Sequence, residues 1–161
     1  MIQTRLVIPE QDEAFLHELY RSTREEEMAH WGWNEADKLT FMQMQFRMQQ
    51  HSYHARFPVL LHQIIVHDQW AVGRIMTANA SEAMQLVDIS LLPAFRGKGI
   101  GTQLIGKLQD EASGSNMPVR LHVQCENPAM RLYERLGFVV TGSTEMYHAM
   151  EWRSSKTPTQ K

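Results

Sequence analysis

Apolar residues along this chain recur with two different periods, and the switches between them mark its elements. Thr4 to Ile8 is a short β-prone run that Pro9 closes. Pro9 or Glu10 can open a helix, with Asp12 and Glu13 suited to the positive end of its dipole. Phe15 and Leu19, with Ala14 and Tyr20, give this helix an apolar face, and it runs to Glu26 or Met28. Gly32, between Trp31 and Trp33, breaks the pattern. Asn34 is placed to cap a second helix from about Glu35 to about His54. Leu39, Met42 and Phe46, with Gln49 or Gln50, mark one face of it, and Phe41, Met44 and Met48 mark another. The helix reads either as a core element with adaptable methionine packing or as the wall of a substrate cleft.

Beyond Pro58 the pattern turns to strands. Val59 to Val66, a turn at His67-Asp68-Gln69, Trp70 to Thr77 and Met84 to Leu92 predict an antiparallel meander, with Gly73 marking a bulge or a close approach. From Leu104 the apolar positions (Leu104, Ile105, Leu108, Ala112) return to helical spacing, until Gly114 to Asn116. Pro118 to Gln124 alternates as a strand, which a strand–helix–strand crossover puts parallel to Leu86–Leu92. Asn127-Pro128 opens a last helix with Leu132 and Leu136 as its buried stripe and Gly137 as its left-handed stop. Phe138 to Val140 and Tyr147 to Trp152 close the pattern as strands. This predicts one domain over residues 1–153, with a polar, frayed tail at 154–161.

Composition narrows the function classes. The net charge of −2 makes no electrostatic case for nucleic acid or an anionic membrane surface. No apolar run approaches the roughly 20 residues of a membrane span, and the first residues lack the basic region and long apolar core of a signal peptide. Cys125 is the only cysteine, so it forms no internal disulfide and reads as a small core residue. These features point to the cytoplasm.

The chemistry concentrates between Leu86 and Ala112, where an apolar strand, Pro93 and then Arg96-Gly97-Lys98-Gly99-Ile100-Gly101 precede the helix. Such a turn offers backbone N–H groups at a helix start, a good phosphate site. A Rossmann fingerprint fails there, because Thr102 and Leu104 stand where the third glycine is needed. Gly101 to Lys107 spells a P-loop as far as its lysine, but Leu108 replaces the magnesium-binding hydroxyl, and the segment lies inside the helix. The remaining pattern is R-x-x-G-x-G (Arg96, Gly99, Gly101) after a strand and L-x-P. It resembles the first signature of the GNAT family of N-acetyltransferases. Asn127 to Phe138, NPAMRLYERLGF, resembles the second, N-x-x-A-x-x-L-Y-x-x-x-G-F.

The resemblance implies an α/β (mixed α+β) fold, a three-layer α/β/α arrangement around a central mixed, splayed sheet. It implies acetyl-CoA as cosubstrate, with pantetheine amides paired to Ser90, Leu91 and Leu92. The pyrophosphate would rest on Arg96, Gly97, Lys98, Gly99, Ile100, Gly101 and Thr102, and Asn127 would contact the cofactor or simply cap its helix. Tyr133 corresponds to the family's general acid. The implied reaction is direct transfer of acetyl to a primary amine in a ternary complex, without metal, and the alternative is an acyl-CoA-binding module without turnover. For the base the residues offer Asp88, a carboxylate inside an apolar strand that is either paired or functional. Glu25 and Glu26, with Glu27, form an acidic run that reads as a solvated face or as a rim attracting a cationic amine. His51 and His54 share helical spacing, but two ligands do not make a metal site. The acceptor is left open, and the family resemblance allows a homodimer.

Overall fold

The computed structural model describes residues 1–154, apart from the side chains of Glu26 and Glu27. In chain order the elements are β1 (Ile2–Leu6), α1 (Pro9–Met28), α2 (Glu35–Arg56), β2 (Leu60–His67), β3 (Trp70–Asn79), β4 (Met84–Leu91), α3 (Ile100–Gly114), β5 (Val119–Gln124), α4 (Ala129–Arg135), β6 (Val139–Ser143) and β7 (Tyr147–Trp152). Hydrogen bonding orders the strands β1-β2-β3-β4-β5-β7-β6 in one mixed sheet. The chain forms two compact units, Met1–Met76 with Asp88–Arg96, and Thr77–Val87 with the chain from Gly97 on.

In the first unit β1 pairs antiparallel with β2 from Ile2↔His67 to Leu6↔Gln63. Asp68 and Gln69 make the β2–β3 turn at φ of 48° and 75°, the doubly positive geometry whose twist matches that of a two-residue hairpin. Pro9 opens α1 as expected. Asp12 does more than favour the dipole. Its carboxylate is buried, accepts the Ile8 N–H at 2.8 Å and takes both terminal nitrogens of Arg5 at 2.8 Å. The Arg5 hydrogen bonds hold this carboxyl below the ordinary range, against the opposing effect of burial. Leu16 and Leu19 carry the buried stripe of α1, and Ala14 is exposed. Leu16, Phe46 and Ile64 form a core, with Val7, Phe15, Tyr20, Val66 and Ala71 against it.

Asn34 caps α2 by accepting the Asp37 N–H at 2.8 Å. Only one of the two expected faces of α2 is buried, through Met42 and Phe46. Met44 and Met48 are exposed, because at about 100° per residue Met44 lies roughly 200° round the helix from Met42. Leu39 is 49% exposed, so the buried stripe starts a turn later than its sequence spacing suggests.

In the second unit β4 and β5 pair in parallel at Met84↔Val119, Gln85↔Arg120 and Leu86↔Leu121. This parallel pairing ends at Leu86, as a splayed sheet requires. β7 runs antiparallel to β5 from Val119↔Trp152 to Gln124↔Tyr147. β6 continues to Ser143, past its expected end at Val140, because its pairing with β7 resumes after an irregularity between Val140 and Gly142. Helix α3 packs on β5 and buries Leu104, Ile105, Leu108 and Ala112, as their spacing predicts, and Ile100 as well. Gln109 ties α3 to the end of α4 by donating to the Leu136 carbonyl at 2.9 Å.

In α4 Leu132 and Leu136 are only half-buried, and Tyr133 is the buried residue. A seven-residue helix is too short for a long stripe, and the Tyr133 ring is set by Phe138, edge-on at 5.9 Å. Gly137 ends α4 at φ 96°. The Phe138 N–H then closes onto the Tyr133 carbonyl at 3.0 Å. Cys125 is half-buried just past β5, with Sγ 3.9 Å from the Thr144 carbonyl, and is therefore not a core residue. Ser154 is hydrogen-bonded to Ser113 at 2.8 Å, and the rest of the expected tail lies outside the described residues. Among the described residues no helix is long and apolar enough to cross a membrane.

Gly73 is a close approach. A Cβ built there would stand 2.2 Å from the Ser90 carbonyl oxygen and 2.9 Å from Leu91 Cδ2. Gly73→Ala is expected to destabilise the protein by roughly 1–3 kcal/mol, read from the denaturant midpoint. His62 supplies a pH dependence. Burial, helped by the charges of Arg74 and His54, pushes its pKa down to about 4, and its Nε2 is buried without a hydrogen-bond partner. The folded state prefers the neutral ring, so this contribution is complete above the unfolded value near ~6.5 and is lost as pH falls toward ~4. Urea midpoints across this window should fall for the wild type and flatten in His62→Leu.

Candidate functional site

In the first unit Asp88 is not a free carboxylate. Its Oδ2 accepts from Arg74 Nε at 2.9 Å and from Ser90 Oγ at 3.2 Å. Arg74 is 3% exposed, and its other two nitrogens donate to Gln50 and Gln49 carbonyl oxygens at 2.9 Å each. The guanidinium also sits 5.7 Å from the centroid of the Phe46 ring. The pairing expected as one of two roles for Asp88 is therefore present. Arg74 was missed by the sequence reading. Its signal was there, as the one charge within the run Trp70–Thr77.

The segment expected to pair with pantetheine is partly engaged within the protein. The Leu92 N–H donates to the Val72 carbonyl at 2.8 Å, and the Leu91 carbonyl accepts from Arg96 Nε at 3.0 Å. Between them and Arg96, Pro93–Phe95 forms a single 3-10 turn that the sequence reading did not anticipate. It places Arg96 in extended backbone (φ −78°, ψ 152°) with an exposed side chain folded back on the strand end. Glu25 is exposed and lies 3.6 Å from Arg21 one helical turn earlier, a solvated pair. The side chains of Glu26 and Glu27 lie outside the described residues.

In the second unit Gly97 and Gly99 adopt φ of 72° and 82°, which L side chains reach only with strain. A Cβ on either would meet nothing within 4 Å. The backbone conformation therefore requires glycine, and the space beside it is open. Gly99 caps α3 with no side-chain hydrogen bond, and the first intrahelical bond is made by the Gln103 N–H to the Gly99 carbonyl at 3.0 Å. The amides of Ile100, Gly101 and Thr102 precede that bond and point out of the helix start, where the dipole is positive. Gly101 lets α4 come close, with its Cβ position 3.5 Å from Leu132 Cδ2. This geometry fits an anion with several oxygens, such as a pyrophosphate.

Asn127 does cap α4. Its Oδ1 accepts the Ala129 N–H at 2.9 Å, and its backbone carbonyl takes the Met130 N–H at 3.1 Å. Tyr133 is 7% exposed in the middle of α4. His51 and His54 are exposed, and among the described residues no group of three His, Cys, Asp or Glu side chains comes together to hold a metal ion.

Comparison with known proteins gives a family from one source and a fold from another. The family model described as the acetyltransferase (GNAT) family matches residues 12–138. No curated protein sequence matched the chain. Among solved structures, the PaiA N-acetyltransferase of Thermoplasma acidophilum in complex with coenzyme A superposes with a TM-score of 0.71 at 19% identity, over 96% of this chain and 99% of that one. The spermidine N-acetyltransferase of Vibrio cholerae, in complex with CoA and spermine, gives 0.63 at 22% identity over 97% of both chains. PH1933 from Pyrococcus horikoshii gives 0.69 at 19% identity over 96% and 99%. At such identities the structural likeness speaks for the fold, and it is the family match across both glycine-loop and α4 signatures that decides: the chain belongs to the GNAT family of acetyltransferases.

Proposed function

We propose that this protein transfers an acetyl group from acetyl-CoA directly to a primary amine. The observation that carries the proposal is the start of α3, where two positive-φ glycines lead into a helix end without a side-chain cap. In this reading the amides of Gly97 to Thr102, with Arg96 and Lys98, hold the pyrophosphate, and Ser90 to Leu92 and Asn127 align the pantetheine arm. Acetyl-CoA supplies the thioester.

The chemistry asks for little from the protein. A lysine-like amine with a pKa of ~10.4 is under ~0.1% neutral at pH 7, whereas an α-amine near ~8 is ~10% neutral. The neutral amine forms the N–C bond as the C–S bond breaks, and its surplus proton passes to solvent water. The leaving thiolate, with a pKa of order ~8.5 by analogy with cysteine, takes a proton from the Tyr133 hydroxyl, which solvent then restores. Asp88, held by Arg74 and Ser90 on one oxygen, anchors its strand. Spermine in the Vibrio cholerae complex and the acidic run near Glu25 are reasons to test polyamines first, with α-amino acids, antibiotic amines and a lysine peptide beside them. A binding module without turnover is the second reading, since a fold can keep a ligand and lose its reaction.

Thiol release from acetyl-CoA, followed across these amines against a no-amine control with mass detection of product, separates the two. Tight acetyl-CoA binding with no amine-dependent release supports the module. With an active amine in hand, Tyr133→Phe is expected to lower kcat by ~10²-fold or more and to leave acetyl-CoA binding unchanged; unaltered turnover removes the role. Gly99→Ala forces a side chain into the left-handed region at a cost of about 1–2 kcal/mol, and a KM for acetyl-CoA raised ~5-fold or more would show that strain at the loop.

A further inference from the structure

In the first unit, α1 and α2 line a cleft of about 390 Å³ that is open to solvent, bordered by Glu13, His17, Gln43, Phe46, Arg47 and Gln50. This is within the range of small-molecule sites, and none of these residues takes part in the proposed acetyl transfer. The lining is sorted by chemistry. Phe46, 7% exposed, and the His17 ring, with centroids 4.7 Å apart and planes tilted by 49°, supply two packed rings to the lining. Glu13 comes from α1 and Arg47 from α2, so the two walls carry opposite charges. Glu13 has only a long 3.9 Å contact with His17, and Arg47 makes no hydrogen bond or ion pair among the described residues. The Gln50 carbonyl is fixed by Arg74 at 2.9 Å, which orients its amide nitrogen before any ligand arrives and lowers the ordering cost of binding.

We propose that this cleft binds a small zwitterion of the α-amino acid class, with its carboxylate on Arg47 and the Gln50 amide, its ammonium on Glu13, and its side chain on the Phe46 and His17 rings. A carboxylate matches the planar fork of a guanidinium, and an ion of a single sign would leave one wall unanswered. The cleft lies wholly within the first unit and needs no acetyl-CoA, so the proposal is independent of the transfer reaction.

The test is calorimetric titration of the full chain, without acetyl-CoA, using L-phenylalanine, phenylpropionate (no ammonium) and phenethylamine (no carboxylate). L-phenylalanine is expected to bind with a Kd of ~1 mM or tighter, and each single-charge analogue ~10-fold more weakly. Arg47→Ala should abolish the preference for L-phenylalanine over phenethylamine. Glu13→Gln should abolish the preference over phenylpropionate. Both side chains are exposed, and circular dichroism of each variant confirms that it is folded. No binding of L-phenylalanine up to ~20 mM overturns the proposal, as does binding that neither substitution alters, since that would place the amino acid elsewhere.

Discussion

A guanidinium cannot shed its charge, so burying one obliges its surroundings to supply an acceptor for every nitrogen. Arg74 imposes this constraint on the first unit. Asp88 of β4 and Gln49 and Gln50 of α2 all turn an oxygen toward it. Leaving any one of them unpaired would cost the full desolvation of a charged group. The consequence is geometric. The second long helix is held in register with two strands by directional bonds, where apolar packing alone would let it slide. The neighbouring Gly73 adds to this, because β3 meets the Ser90 carbonyl with no room for a side chain. The strand end that leads to the glycine turn is thereby fixed from the β3 side.

The second unit is organised differently. Its core is apolar and periodic, from Ile100 to Ala112 against β5, and its polar features sit at helix ends. Gly99 and Asn127 open α3 and α4, and Gly137 closes α4. Each is a backbone device, and together they set where amides face outward and where Tyr133 falls. The proposed transfer would suit this economy, because binding a pyrophosphate and protonating a thiolate need oriented N–H groups and one hydroxyl. Specificity for the acceptor must come from other surfaces, and in GNAT proteins as in other widely used folds the fold alone does not name it.

Much of this was legible in the residues. Pro9, Asn34 and Gly137 marked helix limits correctly because capping and left-handed turns act within a few residues of chain, whereas α3 starts at Ile100, inside the glycine run expected to precede it. The alternation of Val119, Leu121 and Val123 predicted the buried face of β5. The errors share a cause. Leu39, Met44 and Met48 share the apolar spacing of α2, yet Met42 and Phe46 are its buried residues, and on the other face Phe41 meets Trp31 and Trp33 while Met44 and Met48 stay exposed. Leu132 and Leu136 were given the burial that Tyr133 has. Cys125 was placed in the core from its residue type and proved half-buried. An apolar period says that a face exists, and it does not say whether anything covers it.

The sequence by itself determined the order of the long helices and the strands, most helix limits and the two signatures that assign the family, since all of these are written in short-range spacing and in the special backbone of glycine, proline and asparagine. Only the tertiary structure decided that Asp88 is paired with Arg74, that Asp12 is buried against Arg5, and that Glu13 and Arg47 border one cleft. These are meetings of residues far apart in the chain. Which side chains meet depends on register and packing between whole elements, and no local pattern carries that information.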